Sequence, residues 1–194
     1  MENIKIILAS KSPRRCELME LMGLKFEIIP SLKEEDNNQK LSIKKLSESL
    51  AFQKADDVFN LTNGNRVVVG SDTLVCIKGK VLGKPKNKEE AFGMLKLLSG
   101  NTHKVITSLC VIIEKDGNKK TYTTHDVSRV RFINLSDQEI EEYLKLDEYK
   151  DKAGAYAVQG RSGMFIQKIK GTYATVMGLP THKLYKILHL ENIM

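Results

Sequence analysis

Leu8–Arg15 reads Leu-Ala-Ser-Lys-Ser-Pro-Arg-Arg and joins two elements that the surrounding sequence predicts. The apolar run Ile4–Leu8 before it indicates a buried strand, and apolar residues at helical spacing continue after it as far as Gly23. Ser12 followed by Pro13 is typical of a helix N-terminus, where the missing amide hydrogen of proline costs nothing. The sequence therefore predicts a strand, a tight turn and a helix.

Arg14 and Arg15 fall in the first turn of this predicted helix. Cations there lie at the positive end of the helix macrodipole, which costs roughly 0.3 to 1 kcal/mol per charge. A phosphate group held by Ser10, Ser12, the free amide groups and an arginine would remove this cost. Alternatively, the helix is simply capped and its arginines point into water. This stretch alone leaves both interpretations open.

The chain carries a surplus of positive charge. Lysine and arginine number 31 and aspartate and glutamate 24, so the formal net charge is +7. This surplus favours polyanionic partners such as nucleotides, nucleic acids or acidic surfaces. The sequence has no tryptophan, no zinc-ligand spacing and no basic cluster interleaved with aromatic residues. Nucleic-acid binding therefore has only the net charge in its favour.

At 194 residues, the chain is long enough for one full core or for a domain with two lobes around a cleft. Its three cysteines, Cys16, Cys76 and Cys110, are far apart and odd in number, which predicts buried thiols in a reducing compartment. No signal sequence is recognisable, and no segment approaches the roughly 18 apolar residues that span a membrane. We therefore expect a cytoplasmic protein.

A lysine interrupts the apolar stripe of the predicted helix that runs from Ile43 to Val58. At about 100° per residue, Lys54 falls near the middle of that stripe. Its side chain either extends along the surface to reach water or enters a cleft that holds an anion. Periodicity does not separate these two interpretations.

Small and polar residues end the predicted buried strand Arg66–Leu74. Ligands gather at the carboxyl ends of strands in open α/β sheets, so Asp72 and Thr73 are placed where chemistry is usual. An aspartate after a strand is, alternatively, a turn former. The polar loop Ser31–Ser42 contains several acidic residues, and the simplest interpretation is that their side chains are solvated.

The remaining pattern alternates strands and helices early and pairs strands in the middle. Its predicted elements are strands at Phe26–Pro30, Lys104–Ile113, Lys119–Phe132 and Met164–Ile169, hairpin turns at Lys78–Lys80 and Asp116–Gly117, and helices beginning at Asn87, at Ser136 and after Pro180. We therefore predict a mixed α/β sheet flanked by helices.

Short motifs occur in order along nearly the whole chain. They are Leu8–Arg15, Lys54-Ala55, Gly70–Thr73, Gly83–Pro85, Leu98–Gly100, Asp151–Tyr156, Gln159-Gly160 and Gly178–Pro180. With these motifs the chain resembles the Maf family of nucleoside triphosphate pyrophosphatases, once called septum formation inhibitors. The resemblance implies a single Maf-like domain over residues 1–194. It also implies a fold like that of inosine triphosphatases, with two lobes around a cleft, and a homodimer, which is common in the family.

The implied reaction is hydrolysis of a nucleoside triphosphate between its α and β phosphates, which yields the monophosphate and pyrophosphate. The resemblance marks Asp72 as the general base that activates water, and Glu35 and Asp72 as ligands of Mg²⁺ or Mn²⁺. Glu34 competes with Glu35 for the latter role, and register favours Glu35. The implied phosphate-binding residues are Ser10, Ser12, Arg14, Lys54 and Lys84.

Three positions match the family branch that acts on dTTP and UTP. This branch pairs Arg-Arg after the proline with Asp-Thr and with a glutamine near Ala-Gly-Ala-Tyr, whereas the 7-methyl-GTP branch shows Trp-Arg and Asp-Gln. The resemblance therefore implies that Arg15, Thr73 and Gln159 select the base. A glutamine amide can pair with both a carbonyl and the N3–H of uracil or thymine.

Two other functions remain open from the sequence. One is a pyrophosphatase for modified or purine nucleotides such as 7-methyl-GTP or ITP. The other is a non-enzymatic regulator of cell division that binds nucleic acid, suggested by the net charge and the family's earlier name. Such binding would weaken steeply with salt and would survive the substitution Asp72→Asn.

Overall fold

The structure, a computed structural model, describes residues 4–32 and 41–194. Its strands are β1 (Lys5–Leu8), β2 (Glu27–Ile28), β3 (Arg66–Ile77), β4 (Lys80–Leu82), β5 (Thr102–Lys115), β6 (Asn118–Phe132) and β7 (Ile166–Lys170). Its helices are α1 (Pro13–Leu21), α2 (Ile43–Asn60), α3 (Lys88–Leu98), α4 (Asp137–Leu144), α5 (Tyr173–Met177) and α6 (Thr181–Leu190). Two 3₁₀ turns lie at Ala153–Ala155 and Arg161–Phe165.

The strands form one sheet in the order β2-β1-β3-β5-β6-β7, with β4 paired to β3. Strand β1 runs parallel to both β2 and β3, and Ile7 lies opposite Val68. The pairs β3–β4 and β6–β7 are antiparallel. Parallel and antiparallel pairs thus occur in one sheet, which confirms the predicted mixed α/β class.

The chain divides into two compact units. The first unit comprises Met1–Asp72, Thr107–Asp126 and Gly178–Met194, and the second comprises Thr73–Ile106 and Val127–Met177. In the first, α2 covers apolar residues of β1, β3 and β5, including Ile7, Val68 and Ile112. In the second, α3 and α4 pack with strand residues around Phe132, which is fully buried. Each unit therefore has a hydrophobic core of its own.

The predicted strand end at Leu74 is wrong, because β3 continues to Ile77. Asp72 therefore lies within a strand and not after one. Apolar residues resume at Leu74, and the strand ends only at the turn that joins it to β4, where Lys78 and Gly79 both have positive φ. Hydrogen bonds from the Ser71 hydroxyl and to Oδ1 of Asp72 help to accommodate these polar residues inside the strand.

The predicted hairpin turns are confirmed, as are the helix caps at Asn87 and Ser136. Asp116 and Gly117 form the β5–β6 turn, both with positive φ. Asn87 and Ser136 cap α3 and α4 by accepting hydrogen bonds from backbone amides, and Ser136 forms a full capping box with Glu139. Smaller differences concern the length of β2, the start of β7 and the five-residue helix α5, whose polar and small residues give no periodic signal.

Helix α2 approaches β3 very closely at Gly70. A Cβ atom added there would lie 2.4 Å from the carbonyl oxygen of Ala51 and 2.8 Å from both the nitrogen and the Cβ of Ala55. Ala51 and Ala55 are fully buried, so small side chains face the glycine across this seam. The absence of side-chain bulk on both elements is what allows the helix backbone to lie against the strand.

The cysteines agree with the predicted buried thiols at two of three positions. Cys16, Cys76 and Cys110 are free, and the latter two are buried, whereas Cys16 is half-buried. Burial raises the pKa of Cys110 to about 11.

Within the described ranges, no helix has the length and apolar character needed to cross a bilayer.

A buried histidine lies in the second unit. His103 is 1% exposed, its Nε2 lies 2.8 Å from the hydroxyl oxygen of Tyr156, and its ring meets those of Phe132 and Tyr156 edge to face. Burial lowers the pKa of His103 from 6.5 to about 4. The folded protein therefore keeps this imidazole neutral at pH values where the unfolded chain is protonated.

This difference predicts a loss of stability in acid. Below pH 6.5 the unfolded chain binds a proton that folded His103 does not take up until about pH 4. Between pH 7 and pH 4.5, this preferential proton binding by the unfolded chain lowers the free energy of unfolding by about 2 kcal/mol. The free energy of unfolding, measured with denaturant at pH 7 and at pH 4.5, should fall by this amount in the wild type and in His182→Gln, an exposed control. It should not show this fall in His103→Gln. Equal pH dependence of all three proteins would contradict the assignment.

Candidate functional site

Asp72 and Lys54 form an ion pair in the first unit. The Nζ of Lys54 lies 2.5 Å from Oδ1 of Asp72, and their side chains are only 15% and 10% exposed. Lys54 therefore does not run along the surface to water, which was one of the two interpretations of its position. It points from the core-facing stripe of α2 to the carboxylate in the middle of β3.

The packing of α2 on β3 accounts for this pair. Ser47, Ala51 and Lys54 follow one another at helical spacing along the face of α2 that meets the strand. Ser47 is buried and donates a 3.4 Å hydrogen bond to the carbonyl oxygen of Asp72, and Ala51 contacts the strand at Gly70. The close approach at the glycine thus brings Lys54 within reach of Asp72.

One oxygen of Asp72 is buried and lacks a hydrogen-bond partner among the described residues. This atom is Oδ2, whereas Oδ1 accepts the bond from Lys54. A buried carboxylate oxygen without a donor is costly unless a water, a metal ion or a ligand group satisfies it. Its chemistry therefore suits a hard divalent cation or a water molecule.

The turn before α1 brings Ser10 and Arg15 together. Arg15 donates from Nη1 to the Ser10 hydroxyl oxygen at 2.9 Å and from Nε to the carbonyl oxygen of Gly178 at 2.9 Å. The Ser12 amide also donates to the Ser10 hydroxyl, at 3.2 Å. Both arginines lie in the first turn of α1, as predicted, and Arg14 is half-buried.

Ser12 occupies the predicted N-cap position of α1, with extended backbone dihedrals and Pro13 after it. Within the described residues, its hydroxyl makes no capping hydrogen bond to the helix amides. The N-terminus of α1 therefore begins where the sequence predicts, and the side-chain cap that usually accompanies such a start is absent there.

A second serine completes this network. Ser71 is fully buried, and its hydroxyl lies 2.8 Å from the carbonyl oxygen of Ser108 and 3.0 Å from that of Gly178. The single hydroxyl hydrogen of Ser71 is thus shared between two carbonyl groups, and the Gly178 carbonyl accepts from Arg15 as well. Sequence reasoning missed this role of Ser71 and Gly178, because partners 107 residues apart leave no local signal. Their occurrence in two of the quoted motifs was the only indication.

The other predicted site residues belong to the second unit. Lys84 is exposed, and its Nζ lies 3.5 Å from Oδ1 of Asp151. The amide of Gly154 donates to the carbonyl oxygen of Gly83 at 3.0 Å, so these two motif segments meet. Thr73, next to Asp72 in the chain, is half-buried, and Gln159 is exposed in a turn.

The predicted metal ligands are only partly described. Glu35, together with its competitor Glu34, lies outside the described residues. Asp72 remains as the one member of the predicted pair whose surroundings are known. Among the described residues, no three histidine, cysteine or acidic side chains gather as a set of metal ligands.

Comparison with known proteins places the chain in a family. A family model described as "Maf-like protein" matches residues 5–191. The chain belongs to the Maf family. This confirms the resemblance carried by the sequence motifs.

Curated relatives of this Maf chain match it over nearly its whole length. It is 46% identical over 184 residues to the dTTP/UTP pyrophosphatase of Alkaliphilus oremlandii (strain OhILAs), a match that covers 95% of this chain and 94% of the relative. It is 43% identical over 194 residues to the dTTP/UTP pyrophosphatase of Aquifex aeolicus (strain VF5), covering 98% and 97% of the two chains.

A solved structure supports the fold of this Maf chain. A HAM1 protein from Coxiella burnetii superposes with a TM-score of 0.51 over 96% of this chain and 98% of that protein. The two sequences are 13% identical, so the likeness concerns the fold alone. The predicted fold class is thereby confirmed.

Proposed function

We propose that this protein is a pyrophosphatase that hydrolyses dTTP and UTP to the nucleoside monophosphate and pyrophosphate. The observation that carries the proposal is the buried carboxylate of Asp72. Lys54 binds one of its oxygens, and the other oxygen has no hydrogen-bond partner among the described residues. Relatives at 43 to 46% identity that are named dTTP/UTP pyrophosphatases support the choice of reaction and substrates.

In the proposed reaction, Asp72 acts as general base. Its Oδ2 accepts a proton from a water molecule whose oxygen forms a bond to one phosphorus of the α–β anhydride. The bond from that phosphorus to the bridging oxygen breaks, and the electron pair leaves with the other phosphate group. The hydrogen bond from Lys54 to Oδ1 fixes the rotation of the carboxylate, so that Oδ2 stays available.

Positive groups are proposed to hold the triphosphate. At the N-terminus of α1, the amide groups, Ser10, Ser12 and Arg14 provide donors and charge for phosphate oxygens. The family resemblance extends this proposed role to Lys54 and Lys84. Neutralising a substrate charge of about −4 is the main requirement for such a reaction, since catalysis of phosphoryl transfer is largely positioning and electrostatic stabilisation.

We propose that Asp72 and Glu35 hold a divalent cation, Mg²⁺ or Mn²⁺. The Oδ2 atom of Asp72, which has no hydrogen-bond partner among the described residues, is the kind of hard oxygen ligand that these ions prefer. When bound, such an ion would withdraw negative charge from the phosphate oxygens. Whether Oδ2 serves mainly the cation or mainly the water, the side chain must be ionised for both tasks.

Base selection is proposed for Thr73 and Gln159. The exposed amide of Gln159 can pair with the O4 carbonyl and the N3–H of uracil and thymine. The family pattern predicts the same role for Arg15, whose guanidinium also makes contacts of another kind, to Ser10 and Gly178. The family model covers both units, which supports one Maf-like domain, and the three free thiols support a cytoplasmic location.

A nucleotide panel tests this function. With Mg²⁺ or Mn²⁺ present, we expect dTTP and UTP to give the highest kcat/KM, at least about tenfold above CTP, since a base that mismatches the site leaves polar groups unpaired. The products should be the monophosphate and pyrophosphate, separated by ion exchange.

Several outcomes of that panel would contradict the proposal. Release of orthophosphate would place the cleavage at the terminal phosphate. Preference for 7-methyl-GTP or ITP would keep the enzyme and change its substrate class. Absence of turnover with salt-sensitive binding of nucleic acid would instead support the non-enzymatic alternative.

A further inference from the structure

We infer that Arg15 is a positioning residue that fixes Ser10 against the turn at Gly178, and that the buried Ser71 supports it through the same carbonyl group. This inference rests on the proposed function, because what is positioned is the predicted phosphate site at the start of α1. It assigns Arg15 a role other than reading the base, and it assigns a role to Ser71.

The contacts of the Arg15 guanidinium point to this role. Nε and Nη1 each donate a 2.9 Å hydrogen bond, to the Gly178 carbonyl and to the Ser10 hydroxyl. Gly178 lies 163 residues from Arg15 in the chain, so the bond ties the turn before α1 to the segment that leads into α6. Both of these acceptors are neutral oxygens.

The Gly178 carbonyl also shares the hydroxyl hydrogen of Ser71 with the carbonyl of Ser108. The hydroxyl of Ser71 lies 3.0 Å from it and 2.8 Å from the carbonyl of Ser108. Ser71 is fully buried beside Asp72, in the rigid interior of β3. A carbonyl that is anchored to a central strand is a fixed acceptor, and a fixed acceptor restricts the rotamers of a long side chain such as Arg15.

Ser10 shows what the network orients. Its hydroxyl oxygen accepts from both Nη1 of Arg15 and the amide of Ser12, so both of its lone pairs are engaged. The hydroxyl hydrogen then remains as the donor, and no acceptor for it is present among the described residues. A donor fixed in this way beside the N-terminus of α1 suits a phosphate oxygen. Ser71 therefore supports the Gly178 carbonyl, that carbonyl positions Arg15, and Arg15 positions Ser10.

The test combines three substitutions in the full chain with a matched control. Arg15→Met removes the two bonds of the guanidinium described above, Ser71→Ala removes the hydroxyl hydrogen shared by the Gly178 and Ser108 carbonyls, and the double variant combines the two losses. Ser108→Ala is the control, since its hydroxyl is also buried and has no hydrogen-bond partner among the described residues, whereas its carbonyl stays in place. Hydrogen–deuterium exchange of the peptide over residues 9–16 is measured without nucleotide.

We expect faster exchange over residues 9–16 in Arg15→Met and, to a smaller extent, in Ser71→Ala, with Ser108→Ala unchanged. In the nucleotide assay, Arg15→Met should lower kcat/KM about 100-fold, and by the same factor for dTTP, UTP and CTP. Ser71→Ala should lower it roughly threefold to tenfold. The double variant should be no worse than Arg15→Met alone, because Ser71 acts through Arg15.

Other results would overturn the inference. A change in the ratio of dTTP to CTP turnover in Arg15→Met would show that this arginine reads the base. Equal exchange in Ser71→Ala and Ser108→Ala, or additive losses in the double variant, would remove Ser71 from the network. Failure of the wild type to hydrolyse any nucleotide would contradict the proposed function only, since the exchange measurement still decides the positioning role.

Discussion

Asp72→Asn is expected to lower kcat for dTTP by about 10²- to 10⁴-fold, the range typical for loss of a general base. Asparagine retains an oxygen that can accept the hydrogen bond from Lys54, so the orientation of the side chain is preserved. It cannot take a proton from water, and it is a poor ligand for a divalent cation compared with a carboxylate. The loss should therefore fall mainly on turnover, with a smaller effect on stability.

The stability of this variant sets the conditions of the assay. Lys54 is 15% exposed and loses its counterion, which we expect to cost about 1 to 2 kcal/mol after allowance for solvent. The unfolding midpoint should then fall by roughly 2 to 8 °C, so both proteins are folded at 25 °C. Circular dichroism at the assay temperature verifies this.

A matched substitution separates the chemistry from loss of an ion pair in general. Asp137 is exposed and pairs with Lys96 at the start of α4 in the second unit. Asp137→Asn removes an aspartate charge of the same kind, and its kcat should equal that of the wild type. If Asp72→Asn keeps kcat within tenfold of the wild type, Asp72 is not the base, and the proposed mechanism is wrong.

Gly70→Ala is expected to destabilise the protein by at least about 3 kcal/mol, at the upper end of the cost of overpacking. The added methyl group would lie 2.4 Å from the Ala51 carbonyl oxygen and 2.8 Å from the Ala55 nitrogen. Both are backbone atoms of α2, which cannot rotate away as the end of a flexible side chain can. The helix must move outward, and a lower unfolding midpoint, by roughly 6 to 12 °C, should record it.

Gly93 provides the control for this substitution. It lies inside α3, no heavy atom lies within 4 Å of a Cβ built there, and its φ is not positive. Gly93→Ala should raise the free energy of unfolding by about 0.5 to 1 kcal/mol, because alanine is the better helix former. The two glycine substitutions should thus have opposite signs. A neutral Gly70→Ala would show that α2 and β3 are less closely packed than described.

Local patterns sufficed to predict most of the elements. Turn residues such as Asp116-Gly117 and capping residues such as Ser136 act within a few positions of the chain, so their effect is legible in the sequence. The end of β3 could not be predicted from such local patterns. Ser71 and Asp72 look like the residues of a loop, and only their partners on β5, α2 and the turn at Gly178 explain why they stand inside a strand.

The candidate site shows the same contrast between local features, which the sequence reveals, and long-range contacts, which it does not. Lys54 was recognisable as out of place on an apolar stripe, although the stripe did not reveal that its partner is Asp72. The position of the arginines in the first turn of α1 suggested an anion, because the helix macrodipole acts locally. The bonds of Arg15 to Gly178 could not be inferred, since a contact across 163 residues depends on the whole fold.

The location of Asp72 bears on how such an enzyme can change its substrate over evolutionary time. The proposed hydrolytic group is held inside a twelve-residue strand, where almost any exchange would be paid for in stability. The proposed base-reading residue Gln159 stands in an exposed turn, where substitutions usually alter stability by less than about 0.5 kcal/mol. Mutations can therefore explore new nucleotides at the turn while the hydrolytic machinery and the folded state are inherited unchanged.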